Sequence, residues 1–181
     1  ISSWNVSSSE SFYQMFYNAD AFNQDLSNWT FTTGSDIDAF GMFRAMNVFN
    51  SPLNWGSKTA RFTRTAGMFW SSTNFNQDIS GWDTSNVTDM NSMFRDATAF
   101  NQDIGSWNVS SVTNFQSMFH NASSFNQALN NWNFKTSGTI SMQSMFTGAV
   151  DFNSSLAWCD GTFADGSSRA NNTARVTNMS Y

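Results

Sequence analysis

Four stretches of this chain set an Asn-Gln pair, followed by Asp in three of them, between a Phe and a Trp: FNQDLSNW at 22–29, FNQDISGW at 75–82, FNQDIGSW at 100–107 and FNQALNNW at 125–132. Asp25, Asp78 and Asp103 are the carboxylates of that motif. Carboxylates at a fixed interval could work as a general acid and base, or line a cation site. The remaining positions argue against both, because Pro52, Ala128 and Ser155 stand where the Asp would be. Chemistry that needs a carboxylate in every turn cannot run along this row. Asp83, Asp89 and Asp96 recur more loosely still.

Other reactive side chains are few. His120 is the one histidine, in MFHNAS, and no spacing marks a nucleophile or metal ligand to converge on it. Neither a phosphate-cradling glycine loop nor a nucleophile elbow occurs. DIDAFG at 36–41 lacks the 12-residue pattern of a calcium loop, which leaves CDGTFADG at 159–166 as a weak calcium candidate. Cys159 stands alone, so an intrachain disulfide and a cysteine zinc cluster are both excluded. It reads as a small core residue beside Trp158. The expectation is a protein without catalytic activity or cofactor.

Charge narrows the partners. Eight basic against thirteen acidic residues give a net charge of −5, which argues against nucleic acid, since phosphate affinity needs a positive field. Lys58, Arg61 and Arg64 are spaced three apart, as on one face of a short helix or turn. No apolar run reaches the roughly 20 residues that span a bilayer, so membrane insertion by this segment is not expected. N-x-Ser/Thr sites such as Asn5, Asn86 and Asn121 matter only in a eukaryotic secretory source.

The elements that position these residues come from an internal repeat. Phe22, Phe49, Phe75, Phe100, Phe125 and Phe152 open successive units 27, 26, 25, 25 and 27 residues apart. Each is followed by Asn: Asn23, Asn50, Asn76, Asn101, Asn126 and Asn153. Trp4, Trp29, Trp55, Trp82, Trp107, Trp132 and Trp158 keep the same beat, as do six Met-Phe pairs, Met93-Phe94 among them. Around that pair Val87, Met90, Met93, Phe94 and Ala97 have the offsets of a short helical stripe, with Thr84 or Ser85 as its cap. Ile79, matched by Leu26, Leu53, Ile104, Leu129 and Leu156, predicts one short strand near 78–83. A unit of that size cannot bury an apolar face alone, so the units must stack. The row of Asn then reads as a ladder that satisfies turn backbone groups.

Spacing also marks the loops. Trp to Met-Phe takes 12 residues in three units and 14 in three others, the extra ones lying in TFTTGSD, GSKTARF and FKTSGT. These insertions are expected to emerge together on one edge, where binding differences would sit. After Trp158 the pattern lengthens, Val176 and Met179 resume the helical marker, and the unfinished end suggests a segment of a longer protein.

The phrase FNQDISGWDTSNVTDMNSMFRDATAFNQDIGSWNVSSVTNFQSMF resembles the 26-residue repeat of BspA-like leucine-rich-repeat surface proteins, also described as a mycoplasma-type lipoprotein repeat. The resemblance covers residues 1–158. It implies an α/β, leucine-rich-repeat-like right-handed solenoid, with one short parallel strand and one short helix per 25–27-residue unit and a single domain over 1–181. It also implies a cell-surface or secreted location and adhesion to extracellular or host proteins. No catalytic residues come with it.

Asp25, Asp78 and Asp103, with Trp82, Trp107 and Trp132, are the candidate binding surface. The Trp column has two readings: a stacked core stripe, or an exposed platform for sugars, which makes glycan recognition the alternative to protein binding. A passive surface spacer is a third possibility.

Overall fold

The computed structural model describes residues 1–31, 36–134 and 138–156, together with the backbone of Val176 and Thr177. Regular elements are few. Strand β1 (Ile37–Asp38) pairs in parallel with β2 (Phe62–Arg64), and β3 (Ile140–Ser141) with β4 (Val176–Thr177). A 3₁₀ helix, Gly56–Arg61, precedes β2. The other described residues form turns and irregular chain, tied by isolated parallel bridges from Arg64 to Asp89, Asp89 to Asn114 and Asn114 to Ser141.

The expected helices do not form. Val87, Met90, Met93, Phe94 and Ala97 are all buried, but an α-helix needs each N–H to reach back four residues. Here Met93, Arg95 and Ala97 donate to the carbonyls of Met90, Ser92 and Phe94, three residues back. Ser92 (φ 53°) and Asp96 (φ 57°) are left-handed, and a left-handed residue every fourth position ends any α-helix. The same pair recurs as Gln14 and Asn18, Gly41 and Ala45, Gly67 and Ser71, Ser117 and Asn121, and Ser144 and Gly148. For a side chain such as Ala45 that conformation costs on the order of 1–2 kcal/mol.

Backbone pairing offsets that cost. The amides left over by the turns point sideways: Met90, Ser92, Phe94 and Asp96 donate to Asn114, Gln116, Met118 and His120 at 2.9, 2.8, 2.9 and 2.7 Å. Phe12, Gln14, Phe16 and Asn18 do the same to Asp38, Phe40, Met42 and Arg44. Alternation of inward turn bond and outward ladder bond satisfies every second donor in a neighbouring segment. Strand-like pairing therefore occurs where the sequence predicted helix. The predicted strand near 78–83 is instead a turn, closed by the Trp82 N–H on the Ile79 carbonyl at 3.1 Å.

These findings overturn the right-handed, leucine-rich-repeat-like α/β solenoid. No strand-plus-helix unit recurs among the described residues. Val176 is likewise no helical marker, since it lies in β4 opposite Ile140. Trp158, Cys159, Met179 and the CDGTFADG turn lie outside the described residues. Of the three insertions, GSKTARF forms the 3₁₀ helix and enters β2, whereas TFTTGSD and FKTSGT are only partly described. Lys58, Arg61 and Arg64 do not share a helix face, because the helix stops at Arg61 and Arg64 is in β2. The Lys58 Nζ is turned onto the carbonyls of Ser27 and Trp29 at 3.0 and 3.4 Å.

Aromatic rings fill the core. Phe43, Phe69, Phe94 and Phe119 stack in a row at 5.5, 5.7 and 5.7 Å between centroids. A second row runs Phe49, Phe75, Phe100, Phe125 and Phe152 at 5.9, 6.1, 6.0 and 6.0 Å. Phe69–Phe75 and Phe94–Phe100, at 3.9 and 3.8 Å, tie the rows together. Near-parallel rings at these spacings add about 0.5–1.5 kcal/mol per pair beyond their buried area.

Candidate interaction face

The Asn row forms a hydrogen-bond ladder along the half-buried to exposed edge beside the second Phe row. The Oδ1 atoms of Asn23, Asn50, Asn76 and Asn101 each accept the backbone N–H of the next Asn at 2.9 Å, and Asn126 accepts that of Asn153 at 2.8 Å. Gln77, Gln102 and Gln127 add their side-chain amides to the same oxygens, while Ser51 and Ser154 add hydroxyls where Gln is absent. Asn101→Ala removes the bonds its Oδ1 accepts from the Asn126 N–H and the Gln127 amide on an exposed edge, and should cost about 0.5–1.5 kcal/mol. Asn101→Asp retains an acceptor oxygen and should lose less; urea unfolding of both variants checks the order.

Asp25, Asp78 and Asp103 are exposed turn residues. Their Oδ1 atoms accept the N–H of Ser27, Ser80 and Gly105 at 2.8, 2.9 and 2.9 Å, so each carboxylate is spent on its own turn. The Ser27 hydroxyl and then its N–H hold the Asp25 carboxyl below the ordinary carboxylate value, and Ser80 does the same for Asp78. A depressed folded pKa contributes stability present above the unfolded value of about 3.9 and lost as pH falls through the folded one. Melting temperatures should therefore drop between pH 5 and strongly acidic solution, and less so in an Asp25→Ala/Asp78→Ala variant.

The Trp column is not a surface. Trp82, Trp107 and Trp132 are 5%, 2% and 0% exposed. Their Nε1 atoms donate to the carbonyls of Leu53, Ile79 and Ile104 at 3.0, 3.1 and 3.0 Å. Burying the ring while satisfying its one donor is the usual solution for an interior Trp, and it removes these three residues from the candidate binding surface. A shallow recess beside the column, lined by Leu53, Gly56, Asp78, Ile79, Gly81 and Trp82, offers one carboxylate, already engaged in its turn.

Sequence reasoning missed another face. The residue after each Met-Phe is exposed or half-buried: Tyr17, Arg44, Trp70, Arg95, His120 and Thr147. The Arg44 guanidinium lies 3.7 Å from the Trp70 ring centroid and 5.4 Å from that of Tyr17. Arg95 approaches Trp70 at 5.0 Å. The Trp70 Nε1 donates to the Asp96 carboxylate at 3.1 Å, which also faces Arg95 at 3.5 Å. Beside this row Tyr13 stacks on Phe40 at 5.1 Å, and the Arg64 guanidinium sits 4.3 Å over Phe40 between the carboxylates of Asp38 and Asp89. Half-exposed ion pairs of this kind add little stability. Gly41, at φ 58°, underlies Arg44, and a Cβ there would crowd Gln14 at 3.2 Å. Their shared position after Met-Phe is the one mark that the six residues carry in the sequence.

Among the described residues no three His, Cys, Asp or Glu side chains gather as for a metal ion, and the His120 Nδ1 is buried without a hydrogen-bond partner. No helix among them is long and apolar enough to cross a membrane. What these residues define is a turn-built body braced by backbone, amide and aromatic ladders, with an arginine–aromatic row on one side. The chain belongs to the family described as Mycoplasma protein of unknown function, DUF285, whose model matches residues 1–61 and 40–158. That match, with the absence of a recurring strand-plus-helix unit among the described residues, replaces the BspA-like leucine-rich-repeat resemblance, and the family brings no function with it. No curated protein and no solved structure matches the chain.

Proposed function

We propose that this chain is a non-enzymatic protein-binding module that works outside the cell or on its surface. The observation that carries the reading is the row Tyr17, Arg44, Trp70 and Arg95. Tyr, Trp and Arg dominate the residues that supply binding energy at protein interfaces. Here they are held by one another, so little side-chain freedom is left to lose on contact. Glycan recognition loses its main support with the burial of Trp82, Trp107 and Trp132.

The test is a binding screen of the folded chain on paired extracellular-protein and glycan arrays, repeated with Trp70→Ala. A saturable protein partner weakened at least tenfold by Trp70→Ala, with the melting temperature retained, supports the module. Binding confined to glycans, or silence on both arrays, overturns it; silence favours a spacer. Protease treatment of intact cells that carry the chain tests the location, since a chain resistant until lysis is not on the surface.

A further inference from the structure

We propose that Arg44 is the anchor of the interaction face and receives a carboxylate from an Asp or Glu side chain of the partner protein. This rests on the protein-binding reading above and names the chemistry of its contact. Three arginines stand on the face. Arg64 is neutralised by Asp38 and Asp89 at 3.6 and 3.5 Å, and Arg95 faces Asp96 at 3.5 Å. Arg44 has no carboxylate within ion-pair distance among the described residues. It is the one positive charge of the row left for a partner to meet.

Geometry selects the ligand. Trp70 covers one face of the guanidinium at 3.7 Å, and Tyr17 lies toward it at 5.4 Å. A ligand therefore approaches in the plane of the group, along its N–H edges. Two parallel N–H bonds to the two oxygens of one carboxylate suit that approach. The stack also fixes the fork in advance, which a lysine ammonium in the same place could not do.

The test is an array of 12-residue peptides, each in two versions with Glu or Gln at its centre, probed with the intact chain. Arg44→Gln and Arg44→Lys are probed in parallel, and their melting temperatures confirm folding. Expected are peptides bound through the central Glu and at least tenfold weaker with Gln. The same peptides should lose at least tenfold against Arg44→Gln, and Arg44→Lys should recover little of it. Binding insensitive to the Glu-to-Gln exchange, or unchanged in Arg44→Gln, overturns the inference while leaving protein binding intact. Full recovery by Arg44→Lys, or preference for sulfated over carboxylate peptides, overturns the forked contact. An array on which no peptide binds, alongside a positive whole-protein screen, overturns the single-carboxylate anchor. Failure of both screens removes the protein-binding reading itself.

Discussion

Phe94→Ala should move the denaturant midpoint of this chain further than any substitution on its surface. Phe94 is wholly buried and touches ring neighbours on three sides: Phe69 and Phe119 at 5.7 Å along its row, and Phe100 at 3.8 Å across it. Truncation removes the transfer free energy of the ring and leaves a cavity that backbone ladders on both sides keep from collapsing, at a cost of about 3–5 kcal/mol. With an m-value of about 1–3 kcal/mol per molar in urea, the midpoint falls by about 1–5 M. Phe22 provides the comparison. It holds a matching position in the second row, but is only partly buried and rests on Phe16 and Phe49 at 4.6 and 6.1 Å. Phe22→Ala should cost less than half as much. Equal losses at the two sites would show that the rows do not act as a core.

The contrast bears on what could be read from the sequence. Apolar offsets at 87, 90, 93, 94 and 97 identified which side chains go inside, and all five are buried. They did not identify the backbone that takes them there. A run of three-residue turns with every fourth residue left-handed buries the same offsets as a helix, and periodicity cannot separate the two. The distinguishing letters were present but weak. Gly41, Gly67 and Gly148 tolerate positive φ readily, and Asn18, Asp96 and Asn121 moderately. Gln14 and Ala45 give no hint of it. Only the fit between neighbouring segments, through amides such as Ser92 and Asp96, compensates these positions, and that is a tertiary effect. The leucine-rich-repeat resemblance rested on the same Phe, Met and Trp letters and inherited the same ambiguity.

Polar positions were legible to different degrees. Asn repeats without exception because each rung needs an acceptor for the next backbone N–H, and a strict pattern of that sort points to backbone work. Asp25, Asp78 and Asp103 interchange with Pro, Ala and Ser because an Asx contact two residues on is useful but replaceable. The arginine–aromatic row was concealed by the opposite property. Tyr, Arg, Trp, Arg, His and Thr share a column but no chemistry in common, so no repeat search aligns them as a motif. Their contacts run between neighbouring segments, as between Arg44 and Trp70, and become visible only once the segments lie side by side.

Trp107→Ala separates the buried and exposed readings of the Trp column most sharply. The ring is 2% exposed and its Nε1 donates to the Ile79 carbonyl at 3.1 Å. Alanine forfeits the buried area, opens a cavity and orphans that carbonyl in one step, for about 3–5 kcal/mol. Against a domain stability of about 5–15 kcal/mol, much of the population would unfold on mild heating. Trp107→Phe keeps most of the apolar volume and loses the hydrogen bond, so it should recover more than half of the deficit. Trp4 is the internal control. It belongs to the same sequence column but is 53% exposed, and Trp4→Ala should stay within about 0.5 kcal/mol of the parent, as surface substitutions do. Thermal and urea unfolding of the three variants, followed by near-ultraviolet circular dichroism, gives the order. A Trp107→Ala protein as stable as the parent would return the column to the surface and reopen sugar stacking. A large loss confined to Trp107 would mean that the ring belongs to the fold and offers no platform for sugars.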